Sequence, residues 1–403
     1  MLKDNYAHSE IKKFFIYLKI LLPSILFFFT FIHPISAKTI KVLLSESPSF
    51  HLSVTSPFKI SDIKDRSVFL KGNYLPNTKV HINQNSSGLK LNGFQKTFKN
   101  GLLIDVKHRS SISINGLRYR GEFEITLNPT SNMIRIINHV DTEDYLKSVV
   151  ARESPYFWPE KLLHVQAIIS RSYAYNAMNN NKNDDFDLLD SIHSQVYTGK
   201  SSENPKVSRA VEQTKGQVLL FQNKLFSTFY HSSCGGKTES SHNIWSTKMI
   251  PLTGKECGYC DASPDRSWKK TLSNKFIQKS LFKKLLSLGA QNKRIKNIKI
   301  LERSPSGRAL WVKVTYSNGK DLSLSGNTFR LKVGPNLLKS TLFNVRKKGK
   351  SFIFTGSGWG HGVGLCQWGA KKMSQDSRFS ASDILEYYYP QTHVDHISKR
   401  LSS

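Results

Sequence analysis

The chain has 403 residues, of which 38% are hydrophobic and 11% aromatic, enough for two or more hydrophobic cores, so wholesale disorder is excluded. Its 59 Lys and Arg against 29 Asp and Glu give a formal net charge of +30. That surplus favours a polyanionic partner such as nucleic acid, anionic lipid or an acidic wall polymer.

At the N-terminus, Lys12, Lys13 and Lys19 precede the apolar run "ILLPSILFFFTFI", which ends in small residues at "PISAK". The run is short, and Pro23 breaks it, for a span that needs about 20 residues. The pattern predicts a secretory signal peptide or an uncleaved N-terminal anchor over residues 1–37. Either way the remainder is expected to be exported to the periplasm or cell envelope, with membrane association through the N-terminus if the segment stays. Export argues against nucleic acid as the partner.

Residues 38–138 read as a β-rich N-terminal domain. "KTIKVLLS", "SVFLKG", "TKVHINQ", "SISINGLRYRGEFEITLNP" and "MIRIINHV" are rich in Val, Ile, Phe and Thr and are separated by turn residues. At Asp141 the pattern changes. "DTEDYLKSVVARE" has an acidic first turn and helical spacing of Tyr145, Leu146, Val149 and Val150. A second helix begins with Pro159 at its first position and runs through "EKLLHVQAIISRSYAYNAM", which leaves Glu153 in the elbow between the two. The polar "NNNKNDD" ends it, followed by a loop holding "DSIHSQVYTG", a helix near Pro205 to Thr214, and strands "GQVLLFQ" and "KLFSTFYHS".

This mixed stretch, 139–264, is the expected first part of a catalytic core. A basic α+β insertion over 265–345 follows, and residues 346–403 return to the core. The insertion opens with an acid-free stretch, Lys269 to Ile300, where Phe276, Ile277, Phe282, Leu285 and Leu286 fall near a helical period. It predicts an amphipathic helix with a solvated lysine face, or else an anion-binding arm. The alternating "IKNIKILER", "RALWVKVTY" and "KDLSLSG" read as strands. The expected fold class is α+β, without an internal repeat.

Three places carry candidate chemistry. In "VVARESPYFWP", Glu153 sits beside Tyr156, Phe157 and Trp158, and an apolar setting raises a carboxyl pKa toward that of a general acid. A solvated surface glutamate is the plainer alternative. "FYHSSCGG" and "GKECGYC" supply His231, Cys234, Cys257 and Cys260, a tetrahedral set suited to a structural zinc; in an oxidising compartment the cysteines would pair as disulfides instead. Cys366 is left over as a buried free thiol. Finally, "GSGWGHGVGLCQWGA", Gly356 to Ala370, places glycine at nearly every second position around His361. It matches neither a dinucleotide fingerprint nor a phosphate loop. Either a tightly packed corner or close approach of a ligand needs such bare backbone.

These blocks occur in a particular order: "EDYLKSVVARESP…WPEKLLHVQAIISRSYAY", "HSQVYTG", "FYHSSCGGKTE…IW", "GNTFR", "GSGWGHGVGLCQWGAKKM" and "ILEYYYPQT". In that order, from about residue 40 to 395, the chain resembles the stage II sporulation protein D and LytB (SpoIID/LytB) family. The resemblance implies a lytic transglycosylase that cuts peptidoglycan glycan strands, preferring glycan stripped of its stem peptides. Related members are described as enhancers of cell-wall amidases. The family's catalytic glutamate, in a Glu-Met-Pro block, matches Glu153, and a zinc carried by some members supports His231 and Cys234 as ligands. Two departures stand out: "ESP" replaces Glu-Met-Pro, and "LCQWGA" replaces Met-Ser-Gln-Tyr-Gly-Ala.

On this reading Glu153 first protonates the leaving oxygen of a MurNAc–GlcNAc bond. It then takes the proton from the sugar's own C6 hydroxyl, which closes a 1,6-anhydro ring. An intramolecular nucleophile removes the need for a second carboxylate. Trp359, Trp368, His361 and Gln367 are expected either to meet sugar or to brace the wall behind Glu153. Arg171 and Tyr173 either bind substrate, orient Glu153 or are structural. Two rivals stand: a non-catalytic wall-binding enhancer of an amidase, and a zinc hydrolase, which a closed thiolate-rich ligand set disfavours.

Overall fold

Two antiparallel-rich sheets share one core in the first third of the chain. Strand Thr39–Ser47 lies between Ile134–Asp141, antiparallel in register Thr39↔Asp141, and the short parallel Leu188–Leu189. This sheet continues through Glu122–Leu127, Leu102–Val106, Phe58–Asp62 and Val68–Gly72. After a single residue, Pro48, the chain enters a second sheet at Ser49–Val54. Alternate residues point inward, as period-2 strands dictate: Ile40 and Val42 from the first sheet meet Phe50 and Leu52 from the second in one apolar core. The structure, a computed structural model, describes residues 38–82, 88–106, 110–182, 184–246, 248–281 and 294–401; the expected signal or anchor lies outside them.

The last strand of the first sheet launches the helix that carries the site. Asp141 ends the strand and caps helix α1 (Thr142–Glu153), its carboxylate accepting the N–H groups of Glu143 and Asp144. Glu153 is the last residue of α1 rather than part of the elbow, which starts at the extended Ser154. Pro159 caps helix α2 (Glu160–Asn180) instead of opening it. Helix α2 is buried on nearly every side because it serves two cores. Leu163, Ala167, Ala174 and Met178 pack into the β core, while Leu162, Val165, Ile168 and Ile169 pack into a second core with Val363, Leu365, Ile384 and Tyr388. The expected helix near Pro205 is α3 (Pro205–Gln213).

The second core is bound by two small sheets. Gln217–Phe221 pairs antiparallel with Thr392–His396, and Tyr230–His231 pairs parallel with Leu365–Cys366. Only Tyr230–His231 of "KLFSTFYHS" form a strand; the rest is irregular because no neighbour completes its ladder among the described residues. A third core fills the basic segment. Trp268–Ser273, Ser351–Gly356 and Phe343–Lys348 form one antiparallel sheet, and Ile295–Arg303, Ala309–Tyr316 and Asp321–Ser325 another, with helix Gly326–Val333 against them.

The long amphipathic helix expected over Lys269 to Ile300 is not formed as such. Lys269–Ser273 and Ile295–Ile300 are strands, with helix only at Asn274–Ser280, and 282–293 lie outside the described residues. Edge-to-edge pairing with Ser351–Gly356 overrides the helical spacing there. The fold is α+β. No helix among the described residues is long and apolar enough to cross a membrane.

Candidate active site

Glu153 faces a cavity of about 400 Å³ whose other lining residues include Tyr173, Trp245, Arg330, Trp359 and His361. The extended Ser154 turns the chain away just after it, so the acid projects from a rigid helix end. One carboxylate oxygen accepts the Val196 N–H at 3.1 Å, and the Tyr230 hydroxyl donates to the same group. Tyr230 is held in turn by Gln195, whose amide nitrogen lies 3.2 Å from the phenol oxygen and whose carbonyl accepts from Tyr145 at 3.1 Å. Burial raises the Glu153 pKa; the Val196 and Tyr230 hydrogen bonds and the Arg152 charge only partly oppose that rise. Among the described residues, Glu153 is the sole carboxylate lining this cavity. It has the setting of a group that both donates and accepts a proton.

The Glu153 main chain is braced from the far end of the sequence. Gln367 donates one amide to Glu153 O and to Gln166 Oε1, both at 3.1 Å. Gln367 is buried and still borders the cavity. Trp359 and Tyr173 are half-buried in the wall, with Lys339 Nζ 4.9 Å above the Trp359 ring. His361 lines the cavity with Trp245 at 5.1 Å between ring centroids, and its Nδ1 accepts the Val363 N–H. Burial, with the Arg330 and Arg308 charges, pushes its pKa down to about 3, so its imidazole is neutral.

Arg171 is not in the cavity wall. It is fully buried, forks onto Glu143 at 2.8 and 2.7 Å, and donates to Gln217 O and Val211 O, so it ties α2 to α1 and the following strand. Trp368 packs on Trp158 under Lys371 and does not line the cavity either.

The alternate glycines face protein rather than open space. Gly362 and Gly364 have φ of 89° and 70°, and a Cβ there would lie 2.6 Å from the Arg308 guanidinium and 2.0 Å from Phe229 O. Gly358 and Gly360 press in the same way on Ser233 and His231. The tightly packed corner is thus formed at all four glycines, and Gly360 also borders the cavity. It brings His361 and Gln367 to the site by lying flush against Phe229–Cys234.

The four cysteines are free and buried, and their sulfurs lie within 4.8 Å of one another. Cys234 and Cys260 are 3.5 Å apart, Cys234 N–H points at Cys366 Sγ, and Gly236 N–H at Cys234 Sγ. The fourth member of the group is thus Cys366, not His231. The parallel pairing of Tyr230–His231 with Leu365–Cys366 carries Cys366 to the cluster, whereas His231 turns its ring toward Val363 O and the cavity. Four sulfurs at these separations suit tetrahedral coordination of a metal ion.

Sequence reasoning passed over Tyr230, Gln195 and Val196, which hold the acid, and Trp245, Asn327 and Arg330, which line the cavity. The signal was present in "HSQVYTG" and "GNTFR", blocks whose individual residues had no assigned role.

The family described as stage II sporulation protein (SpoIID) matches residues 130–221, the stretch that contains α1, α2 and Glu153. A domain of unknown function matches residues 261–364. An uncharacterized protein of Brachyspira hyodysenteriae is 30% identical over 341 residues, 84% of this chain and 88% of that protein. The amidase enhancer of Bacillus subtilis is 28% identical over 354 residues, 76% of this chain; the chain spans 48% of that relative. Stage II sporulation protein D of Bacillus subtilis is 27% identical over 273 residues, 64% of this chain and 75% of the relative. The chain belongs to the SpoIID/LytB family.

Proposed function

We propose that the protein is a peptidoglycan lytic transglycosylase acting in cell-wall remodelling, with Glu153 as its acid and then its base. The observation that carries this reading is the single carboxylate that the described residues place in the cavity, raised in pKa by burial and held by Val196 and Tyr230. Protonated Glu153 gives its proton to the leaving GlcNAc oxygen. As carboxylate it then accepts the C6 hydroxyl proton of the MurNAc ring, whose oxygen closes on C1 to give the 1,6-anhydro sugar. An intramolecular nucleophile needs no second acid to activate water. Trp359 and Tyr173 offer ring faces for sugar, while Gln367 braces the Glu153 main chain at the end of α1.

The test is the mass of products released by the purified chain, acting alone, from glycan lacking stem peptides. Ends carrying 1,6-anhydro-MurNAc are one water lighter than hydrolysed ends. Hydrolysed ends would overturn the mechanism. A second reading rests on the relative named amidase enhancer: if no glycan product forms and the chain speeds a separate cell-wall amidase, it is a binding partner of that enzyme. The substrate lies outside the cytoplasmic membrane, and the basic, apolar and small-residue succession of residues 1–37 supports export to the envelope.

The tetracysteine cluster is assigned a structural zinc. Cys234, Cys257, Cys260 and Cys366 would supply four thiolates, with N–H donors already aimed at two of the sulfurs. A closed thiolate set leaves no position for substrate, so the metal's part is to clamp the glycine-rich segment onto 234–260.

A further inference from the structure

Among the described residues three arginines are buried, and they are not satisfied alike. Arg171 forks onto Glu143. Arg308 donates to Cys234 O, Lys237 O and Ser306 Oγ. Arg330, on the short helix Gly326–Val333, is 6% exposed and donates only through Nε, to Leu338 O at 3.0 Å and Lys339 O at 3.1 Å. Its two terminal nitrogens have no hydrogen-bond partner, and no carboxylate pairs with it, among the described residues. This guanidinium borders the cavity of Glu153. Beside it on the same helix, Asn327 also lines the cavity, and its buried side-chain oxygen lacks a partner.

A buried cation without a counter-ion is unfavourable unless a ligand supplies one. Burial alone, unrelieved by any acid, pushes the Arg330 pKa down to about 10. The free fork is shaped for a carboxylate, which it grips through two parallel N–H bonds. We infer that Arg330 is the carboxylate-recognising residue of the cavity, with Asn327 accepting a neighbouring N–H or O–H of the same ligand. This rests on the glycan reading above, and it sharpens it. In a MurNAc–GlcNAc strand the acidic group is the lactyl side chain of MurNAc, which is a free carboxylate only where no peptide is joined to it. Once a stem peptide is attached, the same carbon is an uncharged amide and offers the guanidinium no charge. Arg330 therefore selects stripped glycan by charge rather than by size.

The experiment measures binding to the full chain carrying Glu153→Gln, so that no substrate is consumed. Two probes are used: a peptide-free MurNAc–GlcNAc oligosaccharide, and the same oligosaccharide with its lactyl carboxylates converted to methylamides. The expected result is about 10- to 100-fold weaker binding of the methylamide, the range for one charge-assisted contact. Adding Arg330→Gln should weaken the acid form to the level of the methylamide and leave the methylamide unchanged, whereas Arg330→Lys should recover part of the difference. Equal binding of the two probes by the chain with Arg330 intact overturns the inference and leaves the glycan reading standing. Failure of both probes to bind overturns the glycan reading itself. The comparison of probes needs no arginine variant, so it stands even if Arg330→Gln does not fold.

Discussion

Gln367 hydrogen-bonds the main-chain oxygen of Glu153 across 214 positions of sequence, at 3.1 Å. The acid is thereby fixed from two sides: its carboxylate by Val196 and Tyr230, its backbone by the glycine-rich segment. Misplacement of a reacting group by about 1 Å costs up to about 10²-fold in rate. Gln367→Ala should lower kcat on stripped glycan by about 10- to 100-fold with little change in KM. An unchanged kcat would show that Glu153 is held in place without it.

Glu153→Gln keeps the shape of the acid and removes its proton. Loss of a general acid lowers rate by about 10²–10⁴-fold. Anhydro product release should fall by at least that factor while far-UV circular dichroism is retained. Normal turnover by the variant would remove Glu153 from the mechanism.

The raised Glu153 pKa also links activity and stability to pH. The protonated acid is needed for the first step, so activity falls as pH rises through the folded-state pKa. Tyr230→Phe deletes a hydrogen bond that lowers this pKa and should move the alkaline limb to higher pH. For stability the sign is the usual one for a raised group. The contribution of Glu153 is fully present below the unfolded carboxyl range near about 4.3 and is lost as pH climbs through the folded pKa. Glu153→Gln should therefore melt at or above the wild-type temperature at pH 7, with the gap closing by about pH 4. A variant that melts lower at pH 7 and equally at pH 4 contradicts this sign.

Removal of Cys366 should be as damaging as removal of Cys234. Cys366→Ser is expected to lose bound zinc and to melt about 10 °C lower or more, as chelation would also achieve. His231→Ala should retain its metal, because His231 points at Val363 O and the cavity. Metal content by elemental analysis separates the two ligand sets.

Arg171→Met tests a structural assignment. Its fork onto Glu143 is fully buried on the arginine side, and breaking such a pair costs about 3–5 kcal/mol. Urea unfolding should show that loss, while KM of the folded fraction stays near wild type. A raised KM with unchanged stability would return Arg171 to the substrate site.

Local patterns made much of this readable. Asp141 as helix start and the helix boundary at Pro159 follow from capping and periodicity, which act within a few residues, and Glu153, expected in the elbow, lies one residue before it. The cavity was legible only as separate blocks. Nothing in the spacing of Glu153, Tyr230 and Arg330 shows that they converge, because three different segments of chain bring them together. Cys366 was set aside for the same reason: its partners lie more than a hundred residues away, and only the parallel pairing at Tyr230–His231 closes the distance. The lysine-rich run from Lys269 misled because its helical spacing coexists with a register to Ser351–Gly356 that a local reading does not see.

That register has one more implication. Trp268 pairs with Gly356, so the chain leaves the rest of the molecule and rejoins it at neighbouring positions. The described residues between them form their own core and supply Asn327 and Arg330, while Glu153, Tyr230 and Gln367 come from outside it. On the proposed glycan reading, a lineage could exchange the intervening lobe, and with it the contacts of Asn327 and Arg330, without rebuilding the half that carries Glu153. The two halves of the cavity are in this sense separately inheritable, and grafting a relative's lobe between positions 268 and 356 is a direct route to altered substrate choice.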